Sequence, residues 1–97
     1  MNKLVETTWR LEWCAPEYWH WERLQIFESG KAKVLDCDGR YHSFDSKQDA
    51  EYWLSEDEYS RYEHLIEDGE VLSTVVPPSA NDEIEMIALI QSLAKQS

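Results

Sequence analysis

The sequence is poor in cysteine, glycine and long apolar runs, and each shortage excludes a class of protein. Cys14 and Cys37 lie 23 residues apart without CxxC spacing, so we expect packed thiols rather than a disulfide or a metal pair. The three glycines are placed like turns and helix caps, which leaves no glycine-rich phosphate-binding loop. No apolar run reaches signal-peptide length or the roughly 18 residues of a membrane helix. We therefore expect a cytoplasmic protein without a membrane partner.

Basic residues are also scarce. The 97-residue chain has 9 Lys and Arg against 20 Asp and Glu, a formal net charge of −11 at pH 7. Such a chain repels the phosphates of nucleic acids and of anionic membranes. We therefore expect neither of them as a partner.

Signatures of catalysis are missing as well. His20, His42 and His64 have no helical i,i+4 spacing, and the chain has no HExxH or GxSxG motif. The segment 36–39 superficially resembles a calcium loop, but its glycine comes two positions too early, and a hairpin turn explains it better. A mixed metal site of Cys37, His42 and an acid is a weaker alternative. The sequence thus predicts no enzyme, no catalytic residue, no metal and no cofactor.

What the sequence does contain is clear strand periodicity in its first half. Residues 7–13 alternate apolar and polar side chains, as a strand with one buried face does. Asp38-Gly39 predicts a two-residue type I′ hairpin turn. The same alternation recurs, between turn signals, over 21–28, 31–35 and 40–44. This pattern predicts a four-stranded antiparallel meander over 7–44 within a single domain, 1–97.

Helical signals follow the meander. Ser46 with Asp49 resembles a capping box, and Ser55 with Glu58 repeats it, so we expect a pair of acidic helices over 46–68 that ends at Gly69. A Pro-containing linker over 70–81 then leads to a C-terminal helix over 82–95 with a broad apolar face. The predicted fold class is α+β, with two or three helices packed on one face of a small antiparallel sheet.

The acidic residues are concentrated between Asp45 and Glu70, a segment with ten Asp and Glu residues and only two Lys and Arg residues. A localised charge creates a field that a partner can feel. In size and charge alone the chain resembles small acidic bacterial inhibitors of toxins and nucleases. We therefore predict a non-catalytic protein–protein interaction module, or inhibitor-type module, that binds a basic protein surface. The predicted partner-binding residues are Glu56, Asp57, Glu58, Tyr59, Tyr62 and Glu63.

Tryptophan is also concentrated in one part of the chain, because four of the five tryptophans lie between residues 9 and 21. We expect Trp9 and Trp13 to face the core with Leu11, under the last helix. Trp19 and Trp21 fit either core filling or an interface anchor. The alternative function is a small-ligand or regulatory domain, whose pocket would be lined by Tyr18, Trp19 and Trp21.

Two further possibilities concern the sheet itself. A platform for single-stranded nucleic acid would need basic side chains on the outer face of the sheet. Arg10, Arg23, Lys31, Lys33 and Arg40 are the candidates. The chain is expected to be a monomer or a homodimer, the latter through the aromatic strand edge, because an exposed edge invites pairing.

Overall fold

The computed structural model describes residues 3–15, 18–56, 60–69 and 75–95. It has the α+β fold with a small antiparallel sheet that the sequence predicts. The elements follow in the order β1 (Leu4–Ala15), β2 (Tyr18–Phe27), β3 (Ala32–Leu35), β4 (Tyr41–Phe44), α1 (Lys47–Glu56), β5 (Ser60–Arg61), α2 (Tyr62–Glu67) and α3 (Glu83–Lys95). None of these helices has the length and apolarity needed to cross a membrane.

The sheet has five strands in the order β4-β3-β2-β1-β5, and all neighbours are antiparallel. Strands β1 to β4 form the antiparallel meander that the sequence predicts. The fifth, β5, lies where the sequence predicts a helix, and its two residues pair with Arg10 and Leu11 of β1. A strand of two residues is too short to show a period-two pattern, so the sequence carries no signal for it.

The apolar side chains form two clusters on opposite faces of the sheet. Leu11 and Trp21 are cross-strand partners and share one face. Leu24 lies three residues after Trp21, so its side chain points to the other face. Leu24 packs with Ala32, Val34 and two residues of α1, whereas Leu11 and Trp21 pack with residues of α2 and α3. The sheet is therefore the middle layer of three.

This layering corrects the expectation that the helices share one face. Helix α1 covers one side of the sheet, hereafter the α1 face, through Ala50 and Leu54. Helices α2 and α3 cover the other, the α2–α3 face, where Leu65 and Leu93 contribute. The central strands carry apolar residues on both faces, and each face has to be removed from water.

The predicted second helix begins later than its capping signal indicates. Ser55 lies inside α1, where its hydroxyl donates to the carbonyl of Tyr52. The chain then crosses the sheet edge as β5, and α2 begins at Tyr62. Ser46 does act as a cap, because its Oγ accepts from the backbone N–H of Asp49 at 3.1 Å.

The turn between β3 and β4 has three residues instead of the predicted two. Asp36 pairs with Arg40 through a 2.9 Å backbone bond, and Gly39 has φ 85°. A glycine with positive φ after a tight turn is typical of three-residue hairpin loops. A Cβ on Gly39 would lie 2.7 Å from Nε2 of Gln91 in α3, so the loop fits closely against that helix.

Candidate functional site

Two arginines of this acidic chain are buried inside the fold. Arg10 is 4% exposed and Arg23 is 7% exposed. The sequence places both on the outer face of the sheet as part of a basic platform, and that expectation is wrong. Each guanidinium is instead enclosed between the sheet and a helix. Neither guanidinium is therefore available on the surface to bind a partner.

On the α2–α3 face, Arg23 holds the first residue of α3. Its Nη1 donates to Oε1 of Glu83 at 2.9 Å and its Nη2 donates to Oε2 at 2.6 Å, a bidentate pair. The hydroxyl of Tyr41 also donates to Glu83. The hydrogen bonds from Arg23 lower the pKa of Glu83 to about 2, against the opposing effect of burial. Burial and the Glu83 carboxylate together raise the pKa of Tyr41.

On the α1 face, Arg10 lies among charged neighbours. Its Nη1 donates to Oγ1 of Thr8 at 3.1 Å, and its Nη2 lies 3.7 Å from Oε2 of Glu51 in α1. Its cross-strand partners are Glu22 on β2 and Arg61 on β5. Burial and the nearby charge of Arg61 lower the pKa of Arg10. This cluster anchors α1 to the sheet and is closed to partners.

The predicted partner-binding residues occupy different environments. Glu56 ends α1 and Glu63 lies in the first turn of α2, and both are exposed. Tyr62 is half-buried, with its ring centroid 5.5 Å from that of Trp21 and its hydroxyl donating to the carbonyl of Val75 at 2.5 Å. Tyr62 thus packs against the core but is not fully buried, and its role as a partly buried anchor for a partner stays a prediction. Asp57, Glu58 and Tyr59 lie outside the described residues.

The acid-rich segment 45–70 does not form a single helical face; its described parts lie on both sides of one edge of the sheet. Helix α1 lies on one face, α2 lies on the other, and β5 joins them along β1. We call this surface the acidic edge; its described acids are Glu56, Glu63, Glu67 and Asp68, all exposed. Glu63 lies 3.7 Å from Nε of Arg61. The other three carboxylates form no ion pair with any described residue.

Of the three residues of the alternative ligand pocket, only Trp21 has a side chain that the structure describes. Trp21 is 2% exposed and packs edge-on against Trp9, with ring centroids 5.9 Å apart. The side chains of Tyr18 and Trp19 lie outside the described residues. An open groove of about 660 Å³ runs along α1 instead, lined by Lys47, Gln48, Glu51, Tyr52 and Ser55.

The β3–β4 hairpin contains a histidine–aspartate pair. Nε2 of His42 lies 2.6 Å from Oδ2 of Asp36, and the imidazole packs against Trp53 at 4.6 Å. Burial raises the pKa of Asp36, but hydrogen bonds from His42 and from two backbone N–H groups outweigh it and hold that pKa below its usual value. Cys37 forms no disulfide with a described residue. No three His, Cys, Asp or Glu among the described residues are grouped to hold a metal ion.

Sequence reasoning missed the group formed by Arg23, Tyr41 and Glu83. Glu83 follows Arg23 by 60 positions, and no local pattern joins residues that far apart. Comparison with known proteins adds nothing here: no family model, no curated protein and no solved structure matches this chain. The function has to be argued from the surface that the fold creates.

Proposed function

We propose that this chain is a non-catalytic cytoplasmic binding module, of the inhibitor type, whose acidic edge engages a basic surface on a partner protein. The observation that carries the proposal is the exposure of four acids along that edge, opposed by Arg61 alone among its described bases. Arg10 and Arg23 are buried, so neither guanidinium is available to a partner.

The physical role of such an edge is to guide a partner and to select it. Exposed carboxylates separated by several ångströms attract a basic surface over about 8–10 Å at physiological salt. Clusters of this kind raise the rate of association and discriminate against acidic partners more than they add net affinity. Tyr62 contributes indirectly, since its ring lies under the start of α2 and packs on Trp21.

The test begins with a partner captured from native cells on the immobilised protein and identified by mass spectrometry. Association and dissociation rates are then measured for that partner with the wild type and with Glu56→Gln/Glu63→Gln. Because both positions are exposed, the variant should fold normally. Removing two charges from the acidic edge should slow association several-fold and leave dissociation within about twofold.

The matched control removes the same charge elsewhere. Glu28 and Asp45 are exposed, and neither forms an ion pair with a described residue. Glu28→Gln/Asp45→Asn should therefore slow association less than the edge variant does. Equal effects from both pairs, or an association rate that does not respond to ionic strength, would contradict a localised acidic docking surface.

A further inference from the structure

Among the described residues, the outer edge of β1 is paired over only part of its length. Strand β5 pairs only with Arg10 and Leu11, and no other described strand pairs with β1 on the side away from β2. Residues 4–9 therefore present one edge of backbone N–H and C=O groups without a described strand partner. An open edge of this kind is a template for another strand. We call residues 4–9 the β1 edge.

Exposed apolar side chains gather beside the β1 edge. Leu4 is 49% exposed and Val5 is 65% exposed. Helix α1 borders this edge, where Lys47 reaches Glu6 and Glu51 lies near Arg10 of β1. Two of the six large hydrophobic residues exposed among the described residues thus lie side by side on this edge. Such a concentration is typical of an interaction surface.

The charge of this border differs from the charge of the molecule. Nζ of Lys47 lies 3.1 Å from Oε1 of Glu6 and 3.9 Å from Oε1 of Glu51. Together with Lys3, which is exposed, the border has two bases for two acids, whereas the chain as a whole carries −11. Two copies of so acidic a protein repel each other elsewhere, but at the β1 edge they meet without that repulsion.

From these observations we propose that the β1 edge pairs antiparallel with the β1 edge of a second copy, so that two sheets join across a two-fold axis at Thr7. In this register Thr7 faces Thr7 of the second copy, and Glu6 faces Thr8. No like charges stand opposite each other, and the α1 grooves of the two copies lie side by side. An isologous contact of this kind closes on itself and forms a dimer.

The irregularities of β1 fit this register. Beyond Thr7, residues 3 and 4 of one copy would approach Arg10 and Leu11 of the other, where β5 is already paired. The pairing of β1 with β2 shifts between Leu4 and Glu6, which is a bulge that bends the strand. The stretch that can pair in this register is therefore residues 5–9 of both copies, and it ends where β5 begins.

The experiment measures self-association of the full chain by sedimentation equilibrium from micromolar to millimolar concentration. Thr7 is exposed in the single chain, so Thr7→Lys should fold, and it places two ammonium groups at the axis. We expect it to raise the dimer dissociation constant about tenfold, because like charges opposite each other oppose strand pairing. The control is Ser43→Lys, an exposed position on β4 at the other edge of the sheet. It should leave dimerisation unchanged.

A second variant reads the register directly. Thr7→Cys should give a dimer linked through residue 7 under mild oxidation, identified by peptide mapping, because directly opposed side chains are the closest pair across two strands and need only a small shift to reach the Cβ separation of about 3.5–4.5 Å in a disulfide. Ser43→Cys should not be linked in this way. A monomer at every concentration overturns the proposal, as does a dimer that Thr7→Lys leaves intact. A monomer whose β1 amides shift only when an extended segment of another protein binds also overturns it.

Discussion

At the scale of single residues, the most consequential feature is the enclosure of Arg23 with Glu83. The guanidinium side chain is 8% exposed, while that of its carboxylate partner is 45% exposed. Desolvation of Arg23 is offset by two charge-assisted hydrogen bonds. The same carboxylate accepts from Tyr41, so one acid joins β2, β4 and α3. An acid that the sequence counts as one more surface charge therefore has a structural role.

The change Glu83→Gln should lower the free energy of unfolding by about 1–2 kcal/mol near pH 7, a figure reduced because the carboxylate is half-exposed. The folded pKa of about 2 lies below the ordinary value of 4.5. The stabilisation is therefore full above about pH 4.5 and is lost as the pH falls toward 2. Urea unfolding at stepped pH should show the two proteins converging on acidification.

A matched control separates this effect from general loss of charge. Glu28 is exposed and forms no ion pair with a described residue. Glu28→Gln should give a free energy of unfolding close to that of the wild type across the same pH range. A pH-independent difference between the wild type and Glu83→Gln would show that the Arg23 pair is not the source of the effect.

At the scale of elements, the position of α1 determines how the molecule is layered. Leu54 is 1% exposed and packs with Leu24 and Val34, far from the cluster that α2 and α3 cover. The helix is attached at its polar border as well, since Glu51 lies near Arg10 and Lys47 reaches Glu6. Loss of α1 would expose the whole α1 face of the sheet to water.

The change Leu54→Ala should therefore lower the free energy of unfolding by about 2–5 kcal/mol, because buried apolar area is lost and a cavity is left. Gln48→Ala is the comparison, because Gln48 is exposed on the same helix and the two residues have similar helix propensities. It should change the free energy of unfolding by less than about 0.5 kcal/mol. Urea denaturation measures both variants. Similar costs for the two would argue against α1 packing through Leu54.

At the scale of the whole molecule, the acids are spread unevenly around the sheet. The acidic edge exposes Glu56, Glu63, Glu67 and Asp68, whereas the adjoining β1 edge is nearly balanced. One side of the molecule thus carries two neighbouring surfaces of different character. The acidic edge suits a basic partner, and the β1 edge suits a second acidic copy.

Ionic strength should act on the two surfaces in opposite directions. Salt screens attraction between the acidic edge and a basic partner, so that association should slow as salt rises. Salt also screens repulsion between two copies of net charge −11, so that dimerisation should strengthen. Kinetics with the captured partner and sedimentation equilibrium in a salt series measure the two effects. If dimerisation weakened with salt, the contact between copies would not be the nearly balanced β1 edge.

Much of the fold could be predicted from local pattern alone. The alternation around Leu11 and Leu24 marks strands, and the stripe of Ala50, Trp53 and Leu54 marks a helix. The candidate site was predicted less completely. The exposure of Glu56 and Glu63 agrees with a surface role, and Tyr62 is half-buried because its ring packs against Trp21, a contact that no local pattern indicates.

The sequence by itself determined the α+β class, the order of the meander and the excess of acid, because each depends on local periodicity or on counting. Only the tertiary structure decided that the helices lie on both faces, that β5 closes part of the β1 border, and that Arg10 and Arg23 are buried. Alternation with a period of two shows which residues share a face of a strand. It does not show which helix covers that face. That choice depends on contacts between residues distant in the chain, as between Arg23 and Glu83, and so does the surface left for a partner.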